Sequence, residues 1–251
     1  MGEYGSETYG DKIAGVYDEW FDAPEDTETT VDFLRELGGA GPVLELGIGT
    51  GRIALPLGRK GVEVHGIDAS EAMVEKLRSK PGGESVPVTL GDFAEVGVEG
   101  RFSLVYVVFN TFFALLSQED QVRCFASVAR HLGAGGAFVV EAFVPDLSRF
   151  TFGQTPQTRH VGTDEVVIEY SRHDPVRQRV DSQNVAIRED GARLYPVSLR
   201  YAWPSELDLM ARLAGLTLRE RYGGWNRQPF IQASETHISV YEKIGPEAPI
   251  R

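Results

Sequence analysis

The chain has 251 residues, 42% of them hydrophobic, and a formal net charge of −12. That length and apolar content suit one domain with an embellishment and exclude bulk disorder, while the acid excess argues against a nucleic-acid partner, whose phosphates are met by clustered Lys and Arg. Cys124 is the only cysteine, so an intrachain disulfide is impossible; no apolar run reaches membrane-span length and the opening MGEYGSETYGDK lacks signal-peptide regions, which predicts a soluble cytoplasmic protein with no membrane partner.

A polar, Gly-rich leader over 1–12 is followed by IAGVYDEWFD at 13–22, whose apolar and aromatic groups fall near helical spacing. Residues 28–37 read as a second helix with Val31, Leu34 and Leu37 on one face. A short apolar strand over 42–46 runs into Gly47-Ile48-Gly49-Thr50-Gly51 and then a helix from about Arg52. A second strand over 62–68 ends on Asp68, and Ser70 is placed to cap a helix over 71–79. A third strand over 86–90 leads to Gly91-Asp92-Phe93. A fourth covers 102–109, a helix 118–132 and a fifth strand 137–143. Alternating strands and helices with short apolar strands imply a parallel sheet covered on both faces. The pattern then changes to strand-like alternation over 165–171, 179–187 and 195–201, separated by the turn signals Asp174-Pro175 and Asp190-Gly191. This predicts an inserted antiparallel sheet over 157–202. A helix over 204–214 with Gly215 behind it precedes two last strands, 217–222 and 238–243.

The chemistry concentrates at three strand ends. Glycines at the first let the backbone turn with positive φ and let a ligand approach it closely, with free N–H groups from the helix behind. Such a loop also fits a tight turn alone or a nicotinamide dehydrogenase. The dinucleotide fingerprint, however, spaces its glycines G-x-G-x-x-G. Here Gly47, Gly49 and Gly51 alternate, with Glu45 two residues before the first. Asp68 can accept from both hydroxyls of a ribose or serve as an ordinary strand-end acid. Asp92 in Gly91-Asp92-Phe93 is either a ligand acceptor or a turn acid beside a core aromatic.

The run Glu45–Gly51 with Asp68 and Asp92 in this order resembles the class I S-adenosylmethionine (SAM) methyltransferases. The resemblance covers nearly the whole chain, including two last strands that match a family sheet ending on an antiparallel strand. It implies an α/β fold: a Rossmann-like seven-stranded sheet with an N-terminal helical lid over 1–40, a SAM-binding core over 41–156 and 203–251, and the antiparallel insertion over 157–202. It also implies SAM as cofactor, S-adenosylhomocysteine (SAH) as product and no metal, the five histidines forming no ligand cluster. Glu45, Gly47, Gly49, Gly51, Asp68, Ala69, Met73, Asp92, Phe93 and Phe109 are the residues it assigns to the cofactor, Met73 and Phe93 beside the adenine; Met73 serves equally as a core residue.

After the fourth strand the sequence reads Phe109-Asn110-Thr111-Phe112-Phe113, without the prolines of the N-P-P-Y-like tetrapeptide that planar nucleobase amines require in this family. Asn110 is left to cap a turn, touch cofactor or hold substrate. Val16-Tyr17-Asp18 and the insertion resemble the N-methyltransferases of amino sugars and lincosamide antibiotics. The acceptor site is therefore expected from Tyr9, Tyr17, Asn110 and Phe113 (or Phe112), with Trp20 and Phe21 packing the first helix. Aromatic faces suit a forming ammonium. Arginine far exceeds lysine, as in the GC-rich genomes that often encode antibiotic pathways. The expected enzyme N-methylates a small natural-product amine, as a homo-oligomer. Alternatives are a small-molecule O-methyltransferase, a SAM-fold binder without catalysis, and a nicotinamide oxidoreductase; alternating glycines and Asp92 oppose the last.

Overall fold

Runs of apolar residues covered on both sides set the centre of the fold. In the computed structural model, which describes residues 4–21 and 24–243, β1 (Val43–Leu46) is buried throughout and β4 (Phe102–Val107) nearly so, as strands sandwiched by helices must be. With β2 (Val64–Asp68), β3 (Val88–Leu90), β5 (Leu132–Phe143), β10 (Leu216–Tyr222) and β11 (Thr236–Lys243) they make one sheet in the order β10-β11-β5-β4-β1-β2-β3. The strands from β1 to β5 pair in parallel. β11 runs antiparallel to β5 and to β10. This is the seven-stranded Rossmann-like α/β fold that the resemblance implies, with its antiparallel closing strand.

Alternation along the strands sorts side chains onto two faces. Leu44, Leu46, Val105 and Val107 meet α6 (Gln118–His131) and α7 (Pro204–Leu213) through Phe125, Val128, Leu207 and Met210. Val43, Leu104 and Tyr106 meet α3 (Pro24–Gly38) and α4 (Ala54–Arg59) through Val31, Leu34 and Leu57. On β2's far side, α5 (Glu71–Arg78) starts at Ser70, whose Oγ accepts from the Met73 N–H at 3.2 Å, the predicted cap. Among the described residues no helix is long and apolar enough to cross a membrane.

Two segments depart from the expected pattern. The helix predicted over 13–22 is two shorter ones, α1 (Thr8–Ile13) and α2 (Tyr17–Trp20). They are separated around Gly15, a poor helix former, and Asp22 lies outside the described residues. The antiparallel sheet has four strands, β6 (Gln154–Val161), β7 (Glu165–Asp174), β8 (Arg179–Arg188) and β9 (Gly191–Arg200), in sequential order. β6 is an exposed edge strand. Without a buried face it carries no alternation, and it tolerates Pro156, as edges do. α1 lies between α5 and β9, and its Ile13 and Ala14 form a small cluster with Met73, Val167, Ala186 and Tyr195. The leader thus bridges the two sheets over the ends of the parallel strands.

Candidate active site

The turn after β1 holds Gly47, Gly49 and Gly51 at φ of +69°, +54° and +79°, which L side chains rarely adopt. The three differ in use. A Cβ on Gly51 would sit 3.0 Å from Leu55 and Leu77, so this glycine serves packing against α4 and α5. Gly49 has no side chain within 4 Å of its Cβ direction. It faces a cavity of about 480 Å³, which Gly47 also lines.

Asp68 closes β2 and holds this loop in shape. Its Oδ2 accepts from the Gly49 N–H at 2.7 Å and its Oδ1 from the Ser70 N–H at 2.9 Å. Burial raises its pKa, and these backbone donors pull it back. Ala69, Met73, Asp92 and Phe93 continue the wall. Asp92 Oδ1 accepts from the Ala94 N–H at 2.8 Å, which fixes the carboxylate at the β3 end.

Glu45 does not join them. It is 2% exposed, sits on the same β1 face as Val43, and accepts the Tyr106 hydroxyl at 3.0 Å. Strand alternation points it toward α3 and α4 and away from the cavity. Burial pushes its pKa up to about 8. The unfolded carboxyl ionises near its ordinary value of about 4.5, so in between the unfolded chain has lost a proton that the folded one keeps, and stability falls as pH rises through that window. Glu45→Gln keeps an acceptor for Tyr106 and removes the titration. The variant is expected to lose less stability than wild type between about pH 5 and pH 8, by up to roughly 3–5 kcal/mol. Parallel denaturant curves for the two proteins across that range would contradict it.

β4 ends two residues before the predicted boundary because Phe109 and Asn110 are left-handed, at φ of +57° and +63°. Each costs on the order of 1 kcal/mol, and both are tied down. The Phe109 N–H donates to Glu141 Oε2 at 2.7 Å, and Asn110 Oδ1 accepts from the Phe143 N–H at 2.6 Å. Of the three uses open for Asn110, the turn-holding one is therefore present, while its side chain also borders the cavity beside Phe109. Phe112 and Phe113 do not reach it. The reversed backbone sends both into the core, each 0% exposed, against Phe125 and Phe143. Ala114, Leu115 and Leu116 take that place on the cavity wall.

The leader forms the opposite wall with Tyr4, Tyr9 and Tyr17. Three ties hold it there. Tyr4 Oη accepts from the Ser198 N–H at 3.1 Å, Asp11 Oδ1 accepts from Ser70 Oγ at 2.6 Å, and Asp18 accepts from Thr50 Oγ1 at 2.6 Å and pairs with Lys80 at 2.7 Å. Burial raises the phenol pKa of both Tyr9 and Tyr17, so both stay protonated at neutral pH. Trp20 packs edge-on against Tyr195 of β9, on the second sheet, where packing on the first helix was expected. Phe21 does not simply pack: it is 40% exposed and borders the cavity. Sequence reasoning missed Tyr4, Asp120, Arg159 and the 197–199 segment of β9, which complete the wall. None stands at a parallel strand end, so no motif marked them.

A glycine turn and two acids at successive ends of a parallel sheet define a nucleoside-cofactor site. Comparison with known proteins sharpens this. A methyltransferase domain model matches residues 43–136. The structure of the CcbJ methyltransferase from Streptomyces caelestis is 43% identical, covers 96% of this chain and 100% of its own, and superimposes with a TM-score of 0.91. A cypemycin N-terminal methyltransferase from a Streptomyces species is 28% identical over 202 residues, 80% of this chain and 82% of its own. CalS10, an amino pentose methyltransferase from Micromonospora echinaspora, shares the fold at 20% identity, with a TM-score of 0.69 over 97% of this chain and 99% of its own. The protein belongs to the class I SAM-dependent methyltransferases.

Proposed function

We propose that the protein methylates an amine nitrogen of a small natural product, as a cytoplasmic enzyme of antibiotic biosynthesis acting on a lincosamide-like or amino-sugar acceptor. The observation that carries this reading is the leader wall: Tyr9 and Tyr17 border the cavity with phenols that burial keeps protonated. Such groups donate hydrogen bonds and do not remove protons, which suits an acceptor that is already a neutral nucleophile. The kinship to a cypemycin N-terminal methyltransferase agrees with a nitrogen acceptor.

The cavity fits SAM. Asp68 would accept from the ribose hydroxyls, Asp92 from the adenine amino group, and Met73 and Phe93 would flank the ring, with Gly47, Gly49, Ala69 and Phe109 completing the contact. The cofactor supplies a methyl group on a sulfonium, already a strong electrophile. The chain's task is then to orient the acceptor and exclude water. Residues 1–40 act as the lid in this reading, 41–156 and 203–251 as the cofactor-binding core, and the insertion over 157–202 as the outer wall, which β9 contributes through Val197, Ser198 and Leu199.

The test is mass measurement of a panel of amines and phenols incubated with SAM and the enzyme. Amines are expected to gain a methyl group and phenols to remain unchanged. Methylated phenols alongside inert amines would replace this reading with O-methylation.

A further inference from the structure

A second cavity, of about 550 Å³, adjoins the first. One side is the end of the leader, Trp20 and Phe21. The other is the second sheet. Val167 and Glu169 stand two apart on β7, and Asn184 of β8 pairs across from Glu169, so alternation puts all three on one face. Val167 packs with Ile13 and Ala14 of the leader, which shows that this face turns inward. Phe21 and Arg159 line both cavities, so the two chambers meet at these side chains. Neither is locked in a core: Phe21 is 40% exposed and the Arg159 side chain 44%.

The lining of the second chamber is polar but balanced. Glu169 Oε1 accepts from Arg149 Nη2 at 3.1 Å and from Ser171 Oγ at 2.7 Å, and its Oε2 accepts from Arg159 Nε at 2.9 Å. Glu165 pairs with Arg188. Glu19 and His160 also border the chamber but are exposed, where water screens them. A charged ligand group would have to break one of the pairs or stay unmatched. A wholly apolar one would bury their remaining polar sites without partners. An uncharged polyhydroxylated ring meets neither cost. Its hydroxyls can donate to carboxylate lone pairs that the arginines leave free, and the Asn184 amide can both donate and accept. Its C–H face can cover an aromatic ring, and Trp20 is held ready by its edge-on contact with Tyr195, at 4.9 Å between centroids.

We propose that the second chamber holds an uncharged sugar ring of the acceptor while the acceptor's amine stands beside the cofactor in the first. The proposal rests on the N-methylation reading above and narrows it. The nitrogen that gains the methyl group and the sugar ring belong to different parts of the acceptor, joined across Phe21 and Arg159, and Trp20 and Asn184 set specificity at a distance from the reacting centre.

Calorimetry on the SAH-loaded protein tests it with three amides of alanine that share one α-amine. The methylamide fills the first chamber only, the amide of glucosamine adds a neutral sugar, and the cyclohexylamide adds a ring of the same size without hydroxyls. The glucosamine amide is expected to bind about 10- to 100-fold more tightly than the methylamide, the scale of a few neutral hydrogen bonds and one ring contact, and the cyclohexylamide no more tightly than the methylamide. Asn184→Tyr, which fills the chamber from a strand position that suits an aromatic, is expected to erase that preference. Trp20→Leu, outside both sheets, is expected to reduce it and serves if the Tyr variant does not fold. A wild-type protein that binds the sugar amide no better than the methylamide, or binds neither, overturns the proposal, as does a preference that survives in the variants. A cyclohexylamide that binds as tightly as the sugar amide overturns the assignment to a sugar. If the chain still binds SAH and methylates simple amines, the second chamber alone has failed; if it does not, the N-methylation reading has failed and the proposal with it.

Discussion

Deleting the chain through Phe21 is expected to abolish methyl transfer while the seven-stranded sheet stays folded. Tyr4, Tyr9, Tyr17 and Phe21 make one wall of the cavity, so the truncated protein leaves the reacting centre open to water and loses the groups that orient an acceptor. Orientation and water exclusion supply most of the rate in a transfer from so reactive a donor, and their loss should lower turnover by about 10³-fold or more. The fold should tolerate the loss. Ile13 and Ala14 belong to a small satellite cluster with Met73, Val167, Ala186 and Tyr195, and neither main cluster draws on the leader. A milder variant separates cover from mass. A Cβ on Gly10 would stand 2.4 Å from Ser70 Cβ, on a helical backbone that accepts side chains. Gly10→Val should therefore push the lid off the start of α5 and cut turnover with little loss of thermal stability. A truncated protein that turns over at the wild-type rate would show that the leader is not a lid.

Legibility in the sequence followed physical cause. The parallel core was readable because buried strands are continuous apolar runs, and Ser70 because a cap has a local signature. The strand-end residues were readable because a glycine turn and the acids after β2 and β3 are constrained by backbone geometry. What failed depended on direction or on distant segments. Glu45 sits in the expected motif, yet a period of two along β1 turns it inward. Phe113 lies in the expected loop, yet left-handed Phe109 and Asn110 reverse the chain and bury it. β6 was invisible because an exposed edge strand has no hydrophobic face to alternate. Arg159 and Val197 reach the cavity from the second sheet and Tyr4 from the leader, where its hydroxyl meets the Ser198 N–H, tertiary facts with no local sign.

Asp68→Ala is expected to remove nearly all affinity for SAH, a larger loss than deleting a ligand contact alone would give. In the folded chain the carboxylate already accepts two backbone N–H groups, from Gly49 and Ser70. With Gly49 at positive φ, the loop keeps its open shape because that N–H has somewhere to go. Alanine leaves both donors without an acceptor, at about 1–3 kcal/mol for each that stays buried. It also removes the acceptor proposed for two ribose hydroxyls, whose charge-assisted bonds are worth a similar amount. The loop would relax toward the cavity, and SAH affinity should fall by about 10³-fold. Asp68→Asn separates the two contributions. One amide oxygen can keep Gly49 or Ser70, so the loop should stay nearer its native form while the charge is lost, and affinity should drop about 10-fold to 100-fold. Calorimetry with SAH reads both variants, and thermal unfolding without ligand reads the loop: the Ala variant should melt lower than the Asn variant. Equal affinities for the two would mean that Asp68 acts on the ligand alone and does not shape the turn, and an Ala variant that still binds SAH as wild type does would remove Asp68 from the site.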